Sequence, residues 1–585
     1  MNVRTKIVCT IGPSVSSIEN IKKLIEAGMN VARLNFSHGS YEDHKHVIEI
    51  LKKVREQTNN PLAILLDTKG PEIRIKKVHG DKKELTKGSH IKLVEECKAE
   101  DEFAITPFYA LKNVEKGTTI LFDDGYIGSK VLQVKDDCIV VEIINNGTIR
   151  SGKGVNIPSV KIDLPAMTDK DVEDIKFGCK EGIDVIAASF IRSAEQILQI
   201  KKLLFDIGYD QIPVIAKIEN SQGVENFDSI VEVADGIMIA RGDLGVEIEL
   251  GLVPKYQKMM IKKCYIAAKP VITATQMLES MINNPRPTRA EASDVANAIY
   301  DSTSLVMLSG ETAVGSYPID AVTIMKKIIR ETENDFDYKG FFEKREHRQY
   351  NDVSSSVAIA AVKTAYSANA KAIFVYTSSG FTARLVSALR PSIPIICLTS
   401  NIQTYHQLSF LWGVKPVYHE KVGTEKEAFS IMCNFAMKNN IVNFGDLIVT
   451  TAGVPFGKKG STNMMMVSNI GSILIRGYKG NGEKVAGDVF KMIAPPKENM
   501  NVKDKILVIP RCDDSYLPYM KQAKGVILQN QIGDTVSEKY AIMVAKSFKI
   551  SLIVRADNAL SVLTDNESVI LDPVKGLVYE QNEFA

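Results

Sequence analysis

Along the first two thirds of the chain, short β-branched and apolar runs alternate with segments whose apolar residues recur at helical spacing. The runs cover residues 7–11, 30–37, 62–69, 184–190, 213–220, 236–244, 270–277 and 304–311, eight in all. A helical pattern follows each of them, the third only after a long insertion. The first helix shows the punctuation. Ser16 and Glu19 have capping-box spacing, Ile18, Ile21, Leu24 and Ile25 share one face, and Gly28 is a terminator. Strands that are apolar throughout are buried on both faces, so these predict a parallel sheet covered by helices. Eight such units predict a (β/α)8 TIM barrel over residues 1–74 and 156–345.

The texture changes between residues 75 and 155, where short, charged, glycine-punctuated strands are expected at 90–94, 119–122, 131–134 and 139–144. With almost no helical period, this segment predicts a small β-barrel domain inserted after the third barrel strand, a lid over the barrel mouth. Residues 346–480 return to alternation, with strand candidates at 372–376, 393–399, 415–418, 446–451 and 464–468. They predict a separate α/β domain with a mainly parallel sheet. A further domain is expected over 481–585, with strands at 505–509, 525–528, 552–554 and 569–571.

Composition narrows the class. A chain of 585 residues exceeds one hydrophobic core, and 45% hydrophobic with 24% charged residues is a globular balance. Seventy-two basic against 70 acidic side chains leave +2, so nothing calls for nucleic acid or an anionic membrane as partner. The eight cysteines are scattered without a CxxC pair, which fits a reduced, cytoplasmic protein. No stretch approaches the roughly 18 apolar residues of a membrane span, and the 7–11 run is too short for a signal sequence.

In a TIM barrel the C-terminal strand ends build the active site. Polar residues gather at those ends here: Arg33, Asn35, Ser37 and His38; Asp67, Thr68 and Lys69; Lys217, Glu219 and Asn220; Arg241, Gly242 and Asp243; Thr275 and Gln276; Ser309 and Glu311. Glu219 and Asp243 are carboxylates from adjacent strands and suit a hard divalent ion such as Mg²⁺. Asn35, Ser37, Asp67 and the Thr68 carbonyl are oxygen donors for a second, monovalent cation. Lys217 and Arg33 are fixed positive charges for a phosphoryl group in transit. The Arg241–Gly–Asp–Leu–Gly245 turn can offer backbone N–H groups to a carboxylate. Together these describe phosphoryl transfer to or from a small carboxylic acid.

Residues 5–13 (Thr-Lys-Ile-Val-Cys-Thr-Ile-Gly-Pro), 29–39, 66–74, 216–220, 240–245, 272–281, 285–291 and 307–315 together resemble the pyruvate kinase family, over roughly residues 1–480. The resemblance implies transfer of the phosphoenolpyruvate phosphoryl group to ADP, giving pyruvate and ATP in the last step of glycolysis. By position it implies Lys217, Arg33 and Thr275 as catalytic, with Arg33, Lys217, Gly242, Asp243 and Thr275 holding substrate. It implies Mg²⁺ (or Mn²⁺) on Glu219 and Asp243, and K⁺ on Asn35, Ser37, Asp67 and Thr68. Asn35, His38, Arg74 and Lys153 match nucleotide contacts, and Glu72 matches the residue that marks potassium-dependent members. The enolate proton is expected through water near Thr275, Ser309 and Glu311. A homotetramer is also implied.

Thr377, Ser378, Ser379, Gly380 and Thr382 follow an apolar strand and open a helix, so they can cradle a phosphate. The resemblance implies a phosphorylated allosteric effector there; the plain reading is a capped turn. The basic pair Lys458–Lys459 reads as a solvated loop or part of an anion site, the loop being the plainer reading, and Trp412 and the 464–466 methionines read as packing. Asp301-Ser302-Thr303-Ser304 stands where the family usually has Asp-Gly-Thr-Asp, a change that bears on local backbone geometry.

The last hundred residues resemble the swivelling phosphohistidine domain of phosphoenolpyruvate-utilising enzymes. Where such domains carry Thr-Ser-His-Ala-Ala, this chain has Val536-Ser537-Glu538-Lys539-Tyr540-Ala541, and residues 484–585 contain no histidine. That counts against a dikinase or phosphoenolpyruvate-synthase-like enzyme, which needs the histidine. A metal-dependent aldolase explains neither the alkali-ion oxygens nor Lys217, and a non-enzymatic metabolite sensor does not explain the full set of catalytic candidates.

Overall fold

The computed structural model describes residues 3–158, 160–346, 352–453, 462–471, 473–496 and 500–581. Lys458–Lys459 lie outside the described residues. The backbone divides into two compact units: Met1–Val362 with Val375–Ala428 and Thr451–Met464, and Lys363–Phe374 with Phe429–Thr450 and Met465–Ala585.

Eight parallel strands close a barrel: β1 (Lys6–Thr10), β2 (Met29–Asn35), β3 (Ala63–Asp67), β4 (Val185–Ala188), β5 (Val214–Ile218), β6 (Gly236–Ala240), β7 (Val271–Ala274) and β8 (Leu305–Leu308). β8 pairs back onto β1, Lys6 opposite Leu305. Alternate residues divide between two cores. Val8, Val31, Leu65, Ala187, Ile215, Met238, Ile272 and Met307 fill the interior, where Phe410 joins them. Ile7, Cys9, Ala32, Leu66, Ile186, Ile218 and Ile239 face the surrounding helices. Burial on both faces is why these strands show no polar alternation.

Helix α1 (Ile18–Ala27) begins one residue later than its capping-box spacing predicts. Ser17, not Ser16, is the N-cap, and its side chain accepts from the Asn20 N–H. Gly28 ends the helix at φ 138°, a conformation that a side chain would strain.

The insertion is a seven-stranded sheet running from Arg74–Val78 at one edge to Val155–Asn156 at the other. The two edges meet. Ile75 donates to the Lys153 carbonyl at 2.8 Å and Gly152 to the Ile75 carbonyl at 2.7 Å, so the sheet curls into the small barrel expected. A two-stranded ribbon, Lys82–Leu85 with Gly147–Arg150, sits beside it.

Five further strands, β9 (Ala372–Tyr376), β10 (Ile395–Thr399), β11 (Val414–Tyr418), β12 (Leu447–Gly453) and β13 (Thr462–Asn469), form a sheet in the order β11-β10-β9-β12-β13. β10 and β11 run parallel. Helix α2 (Phe381–Ala388) follows β9. The C-terminal part holds an eight-stranded sheet in which Val485–Lys491 lies between Ile506–Ile509, parallel to it, and Ser568–Asp572, antiparallel. Helix α3 (Thr535–Phe548) packs with that unit's core through Ala541, Val544 and Ala545.

Candidate active site

The C-terminal barrel ends carry a buried cluster of charge. β3 ends in Asp67, which is fully buried, and β5 turns its Lys217 toward it. The Lys217 ammonium donates to Asp67 Oδ1 at 2.9 Å and to Ser189 Oγ at 2.6 Å, and lies 3.1 Å from Glu219 Oε1. Arg33 at the end of β2 donates through Nε to Asp67 Oδ2 at 2.6 Å and through Nη1 to Thr10 Oγ1 at 2.9 Å. One carboxylate therefore braces two cations that would otherwise be isolated in a dry interior.

The electrostatics follow. Burial opposes charge on Lys217, but Asp67 and Glu219 outweigh it and hold the ammonium well above the usual lysine pKa. Burial would likewise raise Asp67, yet Arg33 and Lys217 hold its carboxyl below the usual range. Glu219 is pushed up, by burial first and despite Lys217, with the like charge of Asp243 adding. Asp243 is pushed up in the same way by burial, with Lys217 again opposing. Three acids, Asp67, Glu219 and Asp243, thus stand against two bases. Asp243 has no ion-pair partner among the described residues.

These groups open onto a cavity of about 300 Å³ lined by Arg33, Asn35, Ser37, Lys217, Glu219 and Asp243. His38, Lys69, Glu72, Arg74, Ser189 and Phe190 complete its wall. Two carboxylates, with the remaining positions left to water and substrate oxygens, fit Mg²⁺. Among the described residues there is no group of three or more His, Cys, Asp or Glu side chains that could hold a metal ion. The Asn35 side chain, the Ser37 hydroxyl, Asp67 and the Thr68 carbonyl follow at the ends of β2 and β3, where Asn35 and Asp67 are register partners. They offer oxygen only, as an alkali ion prefers. Asn35 Oδ1 accepts from the Ser37 N–H at 3.2 Å, and the Thr68 carbonyl from Ser189 Oγ at 2.6 Å.

Known proteins show the same arrangement of sequence. Residues 2–322 match the family described as pyruvate kinase, barrel domain, and residues 355–468 match pyruvate kinase, alpha/beta domain. The chain belongs to the pyruvate kinase family. It is 42% identical over 582 residues to the pyruvate kinase of Sporosarcina psychrophila, covering 98% of each chain. It is 43% identical over 586 residues to that of Geobacillus stearothermophilus, covering 99% of each. The pyruvate kinase of Clostridium acetobutylicum, 47% identical over 467 residues, aligns over 99% of its own length but only 79% of this chain. That relative shows the family architecture without the last hundred residues, and here residues 501–576 match a PEP-utilising enzyme, mobile domain.

Within this family frame, the remaining expected residues fall into two groups. Arg74 reaches the cavity wall, donating to Glu72 Oε1 at 2.6 Å and to the Gly152 carbonyl at 2.5 Å. Lys153 instead pairs with Asp123 of the inserted domain at 2.8 Å and is not among the residues lining the cavity. Thr275 sits at φ 64°, and Gln276 beside it at φ 55°. A β-branched residue in the left-handed region is strained and stays there only when held. Here the Gly242 N–H donates to Thr275 Oγ1 at 2.8 Å, and Arg241 Nη2 donates to the Thr275 carbonyl at 2.8 Å. Glu311 is occupied by backbone: the Ser309 N–H donates to it at 2.7 Å and Leu278 N–H at 3.1 Å. It braces the loop between β7 and β8 rather than facing the cavity.

The strand-end reading missed β4. Ser189 and Phe190, directly after it, touch Lys217, Asp67 and Glu219; the Phe190 N–H donates to Glu219 Oε2 at 2.6 Å. The signal was the positional rule itself, since Ser189-Phe190 stands at the end of the 184–190 run as Asp67-Thr68-Lys69 stands at the end of 62–69.

Proposed function

We propose that this chain transfers the phosphoryl group of phosphoenolpyruvate to ADP, forming pyruvate and ATP in the last step of glycolysis. The observation that carries the reading is Lys217, buried between Asp67, Ser189 and Glu219 and lining the same cavity as Arg33 and Asp243. A terminal phosphate oxygen of ADP attacks phosphorus, and the bond from phosphorus to the enol oxygen breaks, leaving the enolate. Lys217 and Arg33 meet the charge spread over the equatorial oxygens, preorganised by Asp67 so that little rearrangement is needed. When bound, Mg²⁺ (or Mn²⁺) at Glu219 and Asp243 and K⁺ at Asn35, Ser37, Asp67 and Thr68 supply further positive charge to those oxygens. The enolate then takes a proton at carbon. Lys217, held protonated by two carboxylates, is a poor donor for it, so water in the cavity delivers the proton. The Gly242 and Thr275 corner orients the substrate carboxylate, while Asn35, His38 and Arg74 on the cavity wall hold the nucleotide, and Lys153 joins them only on exchanging its Asp123 partner for phosphate.

Pyruvate release from phosphoenolpyruvate, with ADP supplied and withheld, tests this. Pyruvate is expected only with ADP and both cations; release without ADP, or none with all components, overturns the reading.

The chain works as four pieces with boundaries near residues 74, 155, 345 and 480, in a cytoplasmic homotetramer. No helix among the described residues is long and apolar enough to cross a membrane. A phosphorylated effector binds the turn holding Thr377, Ser378, Ser379, Gly380 and Thr382. Gly380 at φ 78° aims its N–H at Thr377 Oγ1, 3.0 Å away, and opens α2. A sugar phosphate is expected to shift half-saturation by phosphoenolpyruvate in the wild type and not in Thr382→Ala.

A further inference from the structure

At the opposite end of the barrel from Lys217 lies a second cavity, of about 390 Å³, larger than the one at the catalytic rim. Its floor is the first turn of the barrel interior, Val185 of β4 and Ile215 of β5, against Phe410. Its wall is apolar at Leu204, Ile212 and Leu408, all buried, while Phe205 stands 72% exposed at the mouth. That volume and lining suit a small molecule.

The charges in and around it do not cancel locally. Lys201 is held by Asp235 at 2.9 Å, and Asp235 also accepts from the Val214 N–H at 2.9 Å. Asp210 lies exposed at the rim. Arg384 of α2 is different. It lines the cavity half-buried, and among the described residues its guanidinium has no hydrogen bond or ion pair, only the Phe381 ring 5.5 Å from its centre. Burial lowers its pKa, with Asp235 only partly offsetting that, and Lys269 is lowered by its own burial first and by the Arg384 charge second. A planar five-donor fork left without an acceptor beside an apolar cavity is costly unless something supplies one.

We propose that this cavity is a second ligand site, taking a small molecule with one anionic group on Arg384 and an apolar body against Leu204, Phe205, Ile212 and Leu408. The polar contacts available besides Arg384 are the Lys201, Gln211 and Gln407 side chains and the Ser379 hydroxyl. The 377–382 turn contributes its Ser379 and Gly380 edge, so the cavity adjoins the phosphate cradle assigned to that turn and shares those two residues with it, while Thr377, Ser378 and Thr382 do not line it.

The test is calorimetric titration of the full chain with phenyl phosphate, with inorganic phosphate as the probe that lacks an apolar body. Saturable phenyl phosphate binding is expected in wild type, Lys217→Met and Thr382→Ala alike, and inorganic phosphate is expected to bind more weakly. Arg384→Met is expected to weaken phenyl phosphate about tenfold or more, the loss expected for one charge-assisted contact. Gln211→Trp, from an exposed position at the mouth, is expected to block binding without touching the core. Thermal unfolding would report that both variants remain folded. The proposal fails if wild type shows no saturable binding or if inorganic phosphate binds as tightly. It fails too if Arg384→Met and Gln211→Trp bind like wild type, or if Lys217→Met or Thr382→Ala removes the binding.

Discussion

Two clusters of charge, one on the barrel rim and one in the C-terminal unit, are built on opposite plans. On the rim, Asp67, Glu219 and Asp243 outnumber Arg33 and Lys217, and Asp243 is left facing the cavity. In the C-terminal unit, where the resemblance would put a phosphohistidine, Glu538 is matched one to one. Arg555 Nε donates to it at 2.7 Å, the Arg555 N–H donates to Asn530 Oδ1 at 2.8 Å, and the guanidinium lies 4.5 Å over the Tyr478 ring. Asp534 caps the start of α3 by accepting from the Ser537 N–H at 3.0 Å. The first cluster needs partners from outside to be complete, and the second is complete as it stands. Unspent charge in a cavity marks a working site more reliably than likeness of fold, which both regions have.

The comparison can be broken from the rim first. Asp67→Asn removes the carboxylate shared by Arg33 and Lys217, leaving buried Arg33 without one and Lys217 with Glu219 alone, so it is expected to cost about 3–5 kcal/mol in urea unfolding. A loss under about 1 kcal/mol would mean that the cluster is already hydrated and not a braced unit. Asp243→Asn leaves the fold alone but halves the carboxylate pair, so half-saturation by Mg²⁺ should rise beyond the about 10–100-fold typical of losing an outer-sphere partner. Unchanged Mg²⁺ dependence would remove Asp243 from the metal site.

The C-terminal cluster sharpens the contrast with a smaller effect. Glu538→Gln weakens the Arg555 pair and is expected to cost about 1–2 kcal/mol of that unit's stability while kcat and KM stay at wild-type values. A collapse of kcat would show that the appendage takes part in the chemistry. Smallest of all is Ser302→Gly. Ser302 sits at φ 74°, its carbonyl and Ser304 Oγ each accepting from Arg390 Nη2 at 2.9 Å. Glycine removes the left-handed strain but adds chain entropy, so a net gain of about 0.5 kcal/mol is expected in thermal unfolding. Destabilisation would show that the strain is not there.

The barrel was legible because its strands are buried on both faces and each ends in polar residues. The runs overshot where chemistry begins. The 236–244 run contains β6 and then the helix Arg241–Glu247, which starts with no intervening loop and places Asp243 in its first turn. Ser17 rather than Ser16 caps α1 because two adjacent serines offer the same hydroxyl and backbone geometry chooses. In the C-terminal unit, Ile506–Ile509 and Gly525–Leu528 announced themselves as apolar runs, but Val485–Lys491 did not. Its Gly487 and Asp488 interrupt any local pattern, and it is a strand because partners on both sides supply the hydrogen bonds. Gly487 also admits the Asp504 carbonyl to within 3.0 Å of where a Cβ would sit.

The central claim is that Lys217, held charged by Asp67 and Glu219, stabilises the phosphoryl group in flight. Rapid-quench single turnover of phosphoenolpyruvate with saturating ADP, K⁺ and Mg²⁺ tests it in Lys217→Met. The phosphoryl-transfer step is expected to slow by at least about 10²–10³-fold in a folded protein that still binds Mg²⁺. A wild-type rate in that variant would contradict it.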